Sequence, residues 1–303
     1  MTSSDAPAEL ASVRWSQGRG LALRRTLLKA FGALVAGGSI SQIVACVADK
    51  PLKWVAFYGE TADEDALSLY DIVVLDPAFK GSIGQVAKGG ARVCSYISLG
   101  EIRNTHPLFG SLDRAALLDE NPAWPGTFRV DVRHPAWSRI IIENAIPDIL
   151  SKQFTGLLLD TLDTAAYLES LDPERYRGMR RSAENLVRSI RKSYPNLLVL
   201  MNRGYALLPA VTDCVDGMVA ESLLTESDSH HNTQYKWNDE SDVLVQLSLL
   251  TPAKRRRLPI LSLDYWNVDD TKTIREIYGR ERQLGFHPYV ATRMLDKIVP
   301  EPT

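Results

Sequence analysis

Four times along this chain a short apolar run ends directly in a carboxylate. Ile72-Val73-Val74-Leu75 meets Asp76, Gly156-Leu157-Leu158-Leu159 meets Asp160, Gly217-Met218-Val219-Ala220 meets Glu221, and Ile260-Leu261-Ser262-Leu263 meets Asp264. Apolar runs of this length, bounded by glycine or polar residues, suit strands buried on both faces. A charge buried unpaired against such a strand carries a heavy desolvation cost. Each acid therefore belongs at its strand's mouth. Helix-length segments separate the runs, so the strands run parallel and end on one face. The repeated pattern collects acids there, on a ligand face or an active-site face.

Taken in order, the chain offers eight strands, at about 53–58, 71–75, 91–98, 156–160, 197–201, 216–221, 258–264 and 285–290. Helices are expected over about 61–70, 135–152, 177–194, 239–250 and 271–284, the third with Leu186, Val187, Ile190 and Tyr194 at helical spacing. Eight strands alternating with helices in about 250 residues predict an α/β fold of the (β/α)8, or TIM-barrel, type, with catalytic groups at strand C-termini. A chain that is 45% hydrophobic can fill the single large core this needs. The longest connection, from Ile102 to Asp131, holds Pro107, Pro122, Trp124 and Pro125. Its length predicts a short helix and an excursion over the ligand face. The basic turn Lys254-Arg255-Arg256-Arg257 precedes strand seven and so belongs to the opposite face as a solvated charge run.

The first fifty residues are different material. Arg24-Arg25-Thr26-Leu27-Leu28-Lys29 leads into a glycine-diluted apolar stretch, Ala30 to Ala45, too short to span a bilayer of about 20 helical residues. A basic head, an apolar middle and small residues before a cleavage point describe an export signal, and the paired arginines give it a twin-arginine character. Ile43-Val44-Ala45-Cys46 resembles a bacterial lipobox. Lipidation of Cys46 would tether the protein to a membrane, whereas simple cleavage nearby would release it. The chain thus reads as an export signal and linker, 1–50, before one domain, 51–303, with a periplasmic or cell-surface destination. Cys94 and Cys214 lack partners at metal spacing and read as buried free thiols. A net charge of -2 gives no nucleic-acid signal.

Carboxylates on strands four and six of a barrel face each other across the mouth. Glycoside hydrolysis needs such a pair, one as nucleophile or base and one as protonated acid, and Asp160 with Glu221 is the pair this spacing selects. Oxygens about 5–5.5 Å apart would retain anomeric configuration, and a gap of about 6.5–9.5 Å would invert it.

Several blocks then carry a resemblance. Tyr96-Ile97-Ser98-Leu99-Gly100-Glu101, the run Gly156 to Asp163, Met201-Asn202-Arg203-Gly204, Val219-Ala220-Glu221-Ser222-Leu223, Leu263-Asp264-Tyr265 and the run Gly285 to Val290 resemble, in order, the blocks of glycoside hydrolase family 114. The resemblance spans about Trp54 to Ile298. It implies a (β/α)8 barrel, Asp160 as nucleophile, Glu221 as acid/base, and endo cleavage of α-1,4 bonds in galactosamine-containing polysaccharide without a cofactor. The two-carboxylate pair is read as retaining, and no metal is expected. One departure is visible: Thr155 stands before Gly156 where the family leads one to expect an acid. That position precedes the buried strand and faces away from the mouth.

A partly deacetylated amino-sugar polymer is cationic, and Asp76, Glu101, Asp163 and Asp264 at strand ends would attract it. Tyr58, Tyr265, Trp266 and Tyr289 could offer stacking surface, and Asn202 with Arg203 could bind sugar hydroxyls or hold Glu221. Two other readings stand beside the glycosidase. One is a non-catalytic glycan-binding lipoprotein on the same barrel. The other is a metal-dependent polysaccharide deacetylase, suggested by Asp228-Ser229-His230-His231, although adjacent histidines point in different directions and no His-x-x-x-His follows.

Overall fold

The structure, a computed structural model, describes residues 52–227 and 234–303. The expected export signal, Cys46 and the Asp228-Ser229-His230-His231 run lie outside the described residues. Among the described residues, eight strands join in parallel in chain order: β1 (Trp54–Phe57), β2 (Ile72–Leu75), β3 (Arg92–Ser98), β4 (Gly156–Asp160), β5 (Leu198–Asn202), β6 (Gly217–Glu221), β7 (Ile260–Tyr265) and β8 (His287–Ala291). Every residue of β1, β2 and β7 is buried, as strands covered on both faces require. The ladder's two ends, β1 and β8, meet through side chains and a loop. Trp54 Nε1 donates to the His287 carbonyl at 2.8 Å, and the Tyr58 amide donates to the Leu295 carbonyl at 2.7 Å. The result is the expected (β/α)8 barrel, each strand within two residues of its predicted bounds.

The outer helices follow their apolar spacing. Met179–Ser193 buries Met179, Ala183, Leu186, Val187 and Ile190, one stripe along its length. The helix expected over 135–152 comes in three pieces, Pro135–Ile140, a π-helical turn Ile141–Ala145, and Ile146–Ser151. Pro147 lacks the N–H that an unbroken α-helix would use there, and the wider turn absorbs the gap. The helix expected over 61–70 shrinks to Glu64–Leu67, and an unforeseen one, Asp163–Leu171, follows β4.

The long connection departs from expectation. Instead of a single short helix it holds an antiparallel sheet of Glu101–Arg103, Leu117–Glu120 and Thr127–Val130, with 3₁₀ turns at Phe109–Ser111 and Arg114–Ala116. A second excursion pairs Thr225–Ser227 with Tyr235–Trp237. Both leave from strand C-termini and therefore build on the mouth. On the opposite face, Arg191 stitches the N-terminal ends of β5 and β6, donating to the carbonyls of Cys214, Pro195 and Leu197 and to Asp216 at 2.6 Å. Cys94 and Cys214 are buried free thiols. A β-carbon at Gly156 would lie 2.5 Å from Cys94 Sγ, so β3 and β4 need glycine to approach this closely.

Candidate active site

Side chains alternate across a strand, and parallel register puts laterally paired residues on the same face. Ser98 pairs with Asp160, and Leu158 with Leu200. Asp160 and Asn202, two residues further on, therefore look inward together. Asn202 pairs with Val219, which sets Glu221 on the same inner face, and Leu263 pairs with Glu221, which does the same for Tyr265. Asp160, Asn202, Glu221 and Tyr265 thus converge at the ends of four consecutive strands by parity alone.

Hydrogen bonds join them. The Asn202 amide nitrogen donates to Asp160 Oδ1 at 2.8 Å and to Glu221 Oε2 at 2.7 Å. Two bonds meeting on one nitrogen hold these oxygens no more than about 5.5 Å apart. Only the NH₂ end of an amide can face two carboxylates, which fixes the orientation of Asn202. Tyr265 donates its hydroxyl to Glu221 Oε1 at 2.6 Å, so both oxygens of Glu221 accept a hydrogen bond. Burial first, and then the charge of Glu221, push the Asp160 carboxyl up to about 6, while the Asn202 and Thr161 hydrogen bonds pull the other way.

Two more tyrosines lie beside the carboxylate pair. Tyr58 and Tyr96 meet edge-on, ring centres 5.4 Å apart. Burial raises both hydroxyls well above the ordinary tyrosine range, reinforced by the charges of Asp160 and Glu221 at Tyr58 and of Asp160 at Tyr96. They stay protonated and can donate to a substrate or to a carboxylate. Tyr96 was not singled out from the sequence, although its inward parity with Ser98 was readable there.

The backbone turns sharply after each of these strands. Thr161, Arg203 and Ser222 directly follow Asp160, Asn202 and Glu221, and all three are left-handed, with φ of 59°, 48° and 54°. A left-handed non-glycine residue is strained and persists where its surroundings hold it. Thr161 Oγ1 accepts from the amides of Leu99 and Gly100 at 3.2 and 2.8 Å, and the Ser222 carbonyl accepts from Asn238 and Gln246 at 2.8 and 3.1 Å.

The remaining residues selected from the sequence divide. Asp76 acts on Tyr58 electrostatically and also caps its own turn through the Ala78 amide at 2.7 Å. Asp163 opens the helix after β4, 3.9 Å from Arg203 in an exposed ion pair at the mouth. Glu101 is buried and its oxygens are occupied by Asn121 at 3.0 and 3.1 Å and by Thr164 at 3.0 Å, so it clamps the first excursion to that helix. Asp264 and Tyr289 do not face the mouth. Asp264 sits opposite Tyr265 in parity and points out of the barrel, where it accepts from the Leu224 and Thr225 amides at 2.9 and 2.6 Å. Tyr289 packs in the β1–β8 seam against Trp54 and Tyr70, and its hydroxyl bonds the C-terminal segment at Val299 and Lys297. Trp266 joins Trp237 and Tyr235 of the second excursion in an aromatic cluster. Beside it, the Arg293 guanidinium lies between the rings of Tyr265 and Trp124, 5.6 and 5.2 Å from their centres.

Two bridged carboxylates at the C-terminal mouth of a (β/α)8 barrel, lined by tyrosines, define the barrel class of glycoside hydrolases. Within that class, the model of glycoside-hydrolase family GH114 matches residues 44–302, and the chain belongs to that family. Among solved structures, the glycoside hydrolase domain of PelA from Pseudomonas aeruginosa superposes with a TM-score of 0.74 at 25% identity, covering 83% of this chain and 99% of that one. Ega3 of Aspergillus fumigatus, solved in complex with galactosamine, shares the fold with a TM-score of 0.64 at 14% identity, covering 82% of this chain and 94% of that one. An uncharacterized protein of Deinococcus radiodurans is 23% identical over 258 residues, 80% of either chain.

Proposed function

We propose that this protein cleaves α-1,4 linkages within galactosamine-containing exopolysaccharide, with Asp160 and Glu221 as its catalytic pair and retention of anomeric configuration. The observation that carries the mechanism is the Asn202 bridge. It keeps the carboxylate oxygens within about 5.5 Å, the spacing of a direct nucleophile rather than of a base acting through water. In the assignment the family resemblance implies, Asp160 attacks the anomeric carbon while Glu221 protonates the departing glycosidic oxygen. Glu221 then takes a proton from the water that hydrolyses the glycosyl–Asp160 ester. The substrate class is supported by family membership, by the galactosamine held in the Ega3 structure and by the acids Asp76 and Asp163 around the pair. Export through residues 1–50 and anchoring at Cys46 belong to the same proposal, since a polymer of this size is met outside the cell.

A specific observation favours a second reading, in which the two roles are exchanged. Glu221 accepts donors on both oxygens, from Asn202 and Tyr265, whereas burial and the charge of Glu221 hold the Asp160 proton up to about 6. Azide separates the two assignments. With small side chains at 160 and 221 in turn, the variant lacking the nucleophile yields a glycosyl azide of inverted configuration, and the variant lacking the acid/base yields a retained one. The primary test is release of reducing ends from partly deacetylated α-1,4-galactosamine polymer by the chain from residue 47, with a chelator control. Turnover that survives chelation and disappears in Asp160→Asn and Glu221→Gln supports the proposal. Binding without turnover replaces it with the glycan-binding alternative, and chelator-sensitive loss of acetyl groups replaces it with the deacetylase.

A further inference from the structure

Behind the catalytic wall lies a second pair of carboxyl groups. Glu281, on the helix Thr271–Gln283, is fully buried and faces Ser262 and Asp264 on the outer side of β7, each only 1% exposed. Among the described residues, no lysine or arginine is one of the main influences on either carboxyl. The titratable groups that face each other are Asp264 from β7 and Glu281 from the helix; Ser262 of β7 and, from the excursion, Thr225 and the Leu224 amide are the polar groups added to them among the described residues. Two buried carboxylates without a counter-ion cannot both be ionised. Among the described residues, Asp264 Oδ2, both Glu281 oxygens and the Ser262 hydroxyl beside them make no hydrogen bond of ordinary geometry, which is the arrangement left when the bridging donor is a proton held between the acids themselves.

The other oxygen of Asp264 reaches toward the active site. Asp264 Oδ1 accepts from the Leu224 and Thr225 amides at 2.9 and 2.6 Å and lies 3.1 Å from Thr225 Oγ1. That hydroxyl in turn accepts from the Tyr265 amide at 3.2 Å and lies 3.1 Å from the Tyr265 carbonyl. Tyr265 then donates to Glu221 at 2.6 Å. We infer that Glu281 and Asp264 share one proton, and that this pair positions Glu221 through Thr225 and Tyr265. Glu281 is a positioning residue that never meets substrate.

Burial raises the Glu281 carboxyl first, with the charge of Asp264 and the hydrogen bond between them adding to it and Ser262 opposing. The sign of the linkage follows. The folded chain holds a proton that the unfolded chain gives up above the ordinary glutamate range, so stability falls as pH rises beyond that range. Glu281→Gln keeps a donor for Asp264 without the titration. It should flatten this fall and melt at a higher temperature than the unmutated protein at about pH 8.

The effect on turnover rests on the glycosidase reading, while two other readouts do not. Infrared spectroscopy of the full chain at about pH 8 should show a protonated buried carboxyl that is absent from Glu281→Gln. A crystal structure of Glu281→Leu should show the Tyr265–Glu221 contact lengthened or lost. On galactosamine polymer, Glu281→Leu should lose on the order of tenfold or more in kcat with KM little changed, and Glu281→Gln should recover most of it. Absence of the infrared band overturns the shared proton. A Glu281→Leu protein that melts lower but keeps its contact and its kcat overturns the positioning role. If Glu281→Leu does not fold, the band and the Glu281→Gln melting curve decide. Wild-type protein without turnover on the polymer would count against the substrate alone, because the infrared and crystallographic results stand apart from it.

Discussion

Asp160 and Glu221 constrain each other through charge as well as through Asn202. The charge of Glu221 is the second cause, after burial, of the raised Asp160 carboxyl. Glu221→Gln should therefore lower the Asp160 titration from about 6 without returning it to the ordinary carboxylate range, because burial remains. Carbon-13 NMR of the aspartate carboxyls would read this, and an unmoved titration would mean that the two groups are not coupled. Activity carries the same information with opposite signs. A nucleophilic Asp160 must be ionised, giving an acidic limb of kcat/KM near 6, whereas an Asp160 that serves as acid gives an alkaline limb there, in either case a value shared by the pair. The same raised carboxyl costs stability as pH rises through that region, so Asp160→Asn should be more stable than the parent above about pH 6, a common exchange at catalytic sites. Removing the bridge is a different perturbation. Asn202→Ala leaves both carboxylates present but unaligned, and kcat should fall by about a hundredfold while the fold persists.

The elements show why some of this was legible and some was not. Apolar runs ending in acids located the strands to within two residues, because a strand buried on both faces has few alternatives in composition. The same pattern says nothing about which way the acid points. Asp160 and Glu221 turn inward, while Asp264 turns outward, because β7 runs one residue further and places Tyr265 in the inner position. Alternation from Leu263 to Tyr265 contained that answer. The excursions were harder, since their strands are short, half exposed and paired with residues far along the chain. The turns after the strands that carry Asp160, Asn202 and Glu221 also rest on distant partners. Gly100 is the clearest case: a β-carbon there would lie 2.2 Å from the Thr161 carbonyl oxygen. Gly100→Ala must move the left-handed Thr161 and with it Asp160, so we expect a loss of about 1–3 kcal/mol in urea unfolding together with a lower kcat. An alanine variant with parental stability and turnover would show that this approach is not needed to aim Asp160.

The whole barrel has one place where its closure depends on side chains. From β1 to β8 each strand is held to the next by a backbone ladder, and the two ends of that ladder meet at Trp54, Tyr58 and Tyr289. The aromatic density of the seam, with Trp54 against Tyr289 and Tyr70 beyond, replaces hydrogen bonds that parallel pairing would have supplied. Tyr289 was expected to stack on sugar; its place in this seam shows that a tyrosine near a strand end can serve closure instead. The strands β4, β5 and β6, which carry Asp160, Asn202 and Glu221, lie across the barrel from the seam, so closure and the proposed chemistry are separable. Trp54→Phe tests this. It keeps most of the ring packing but removes the donor to the His287 carbonyl, leaving a partly buried acceptor unpaired at a cost of about 1–3 kcal/mol. Urea unfolding should show that loss, and amide exchange should quicken in β1 and β8 while β4 to β6 stay protected. The kcat of the folded variant should be unchanged. A variant that loses turnover without losing stability would mean that the seam communicates with Asp160 through Tyr58, which leaves the end of β1 and meets Tyr96 beside the carboxylate pair.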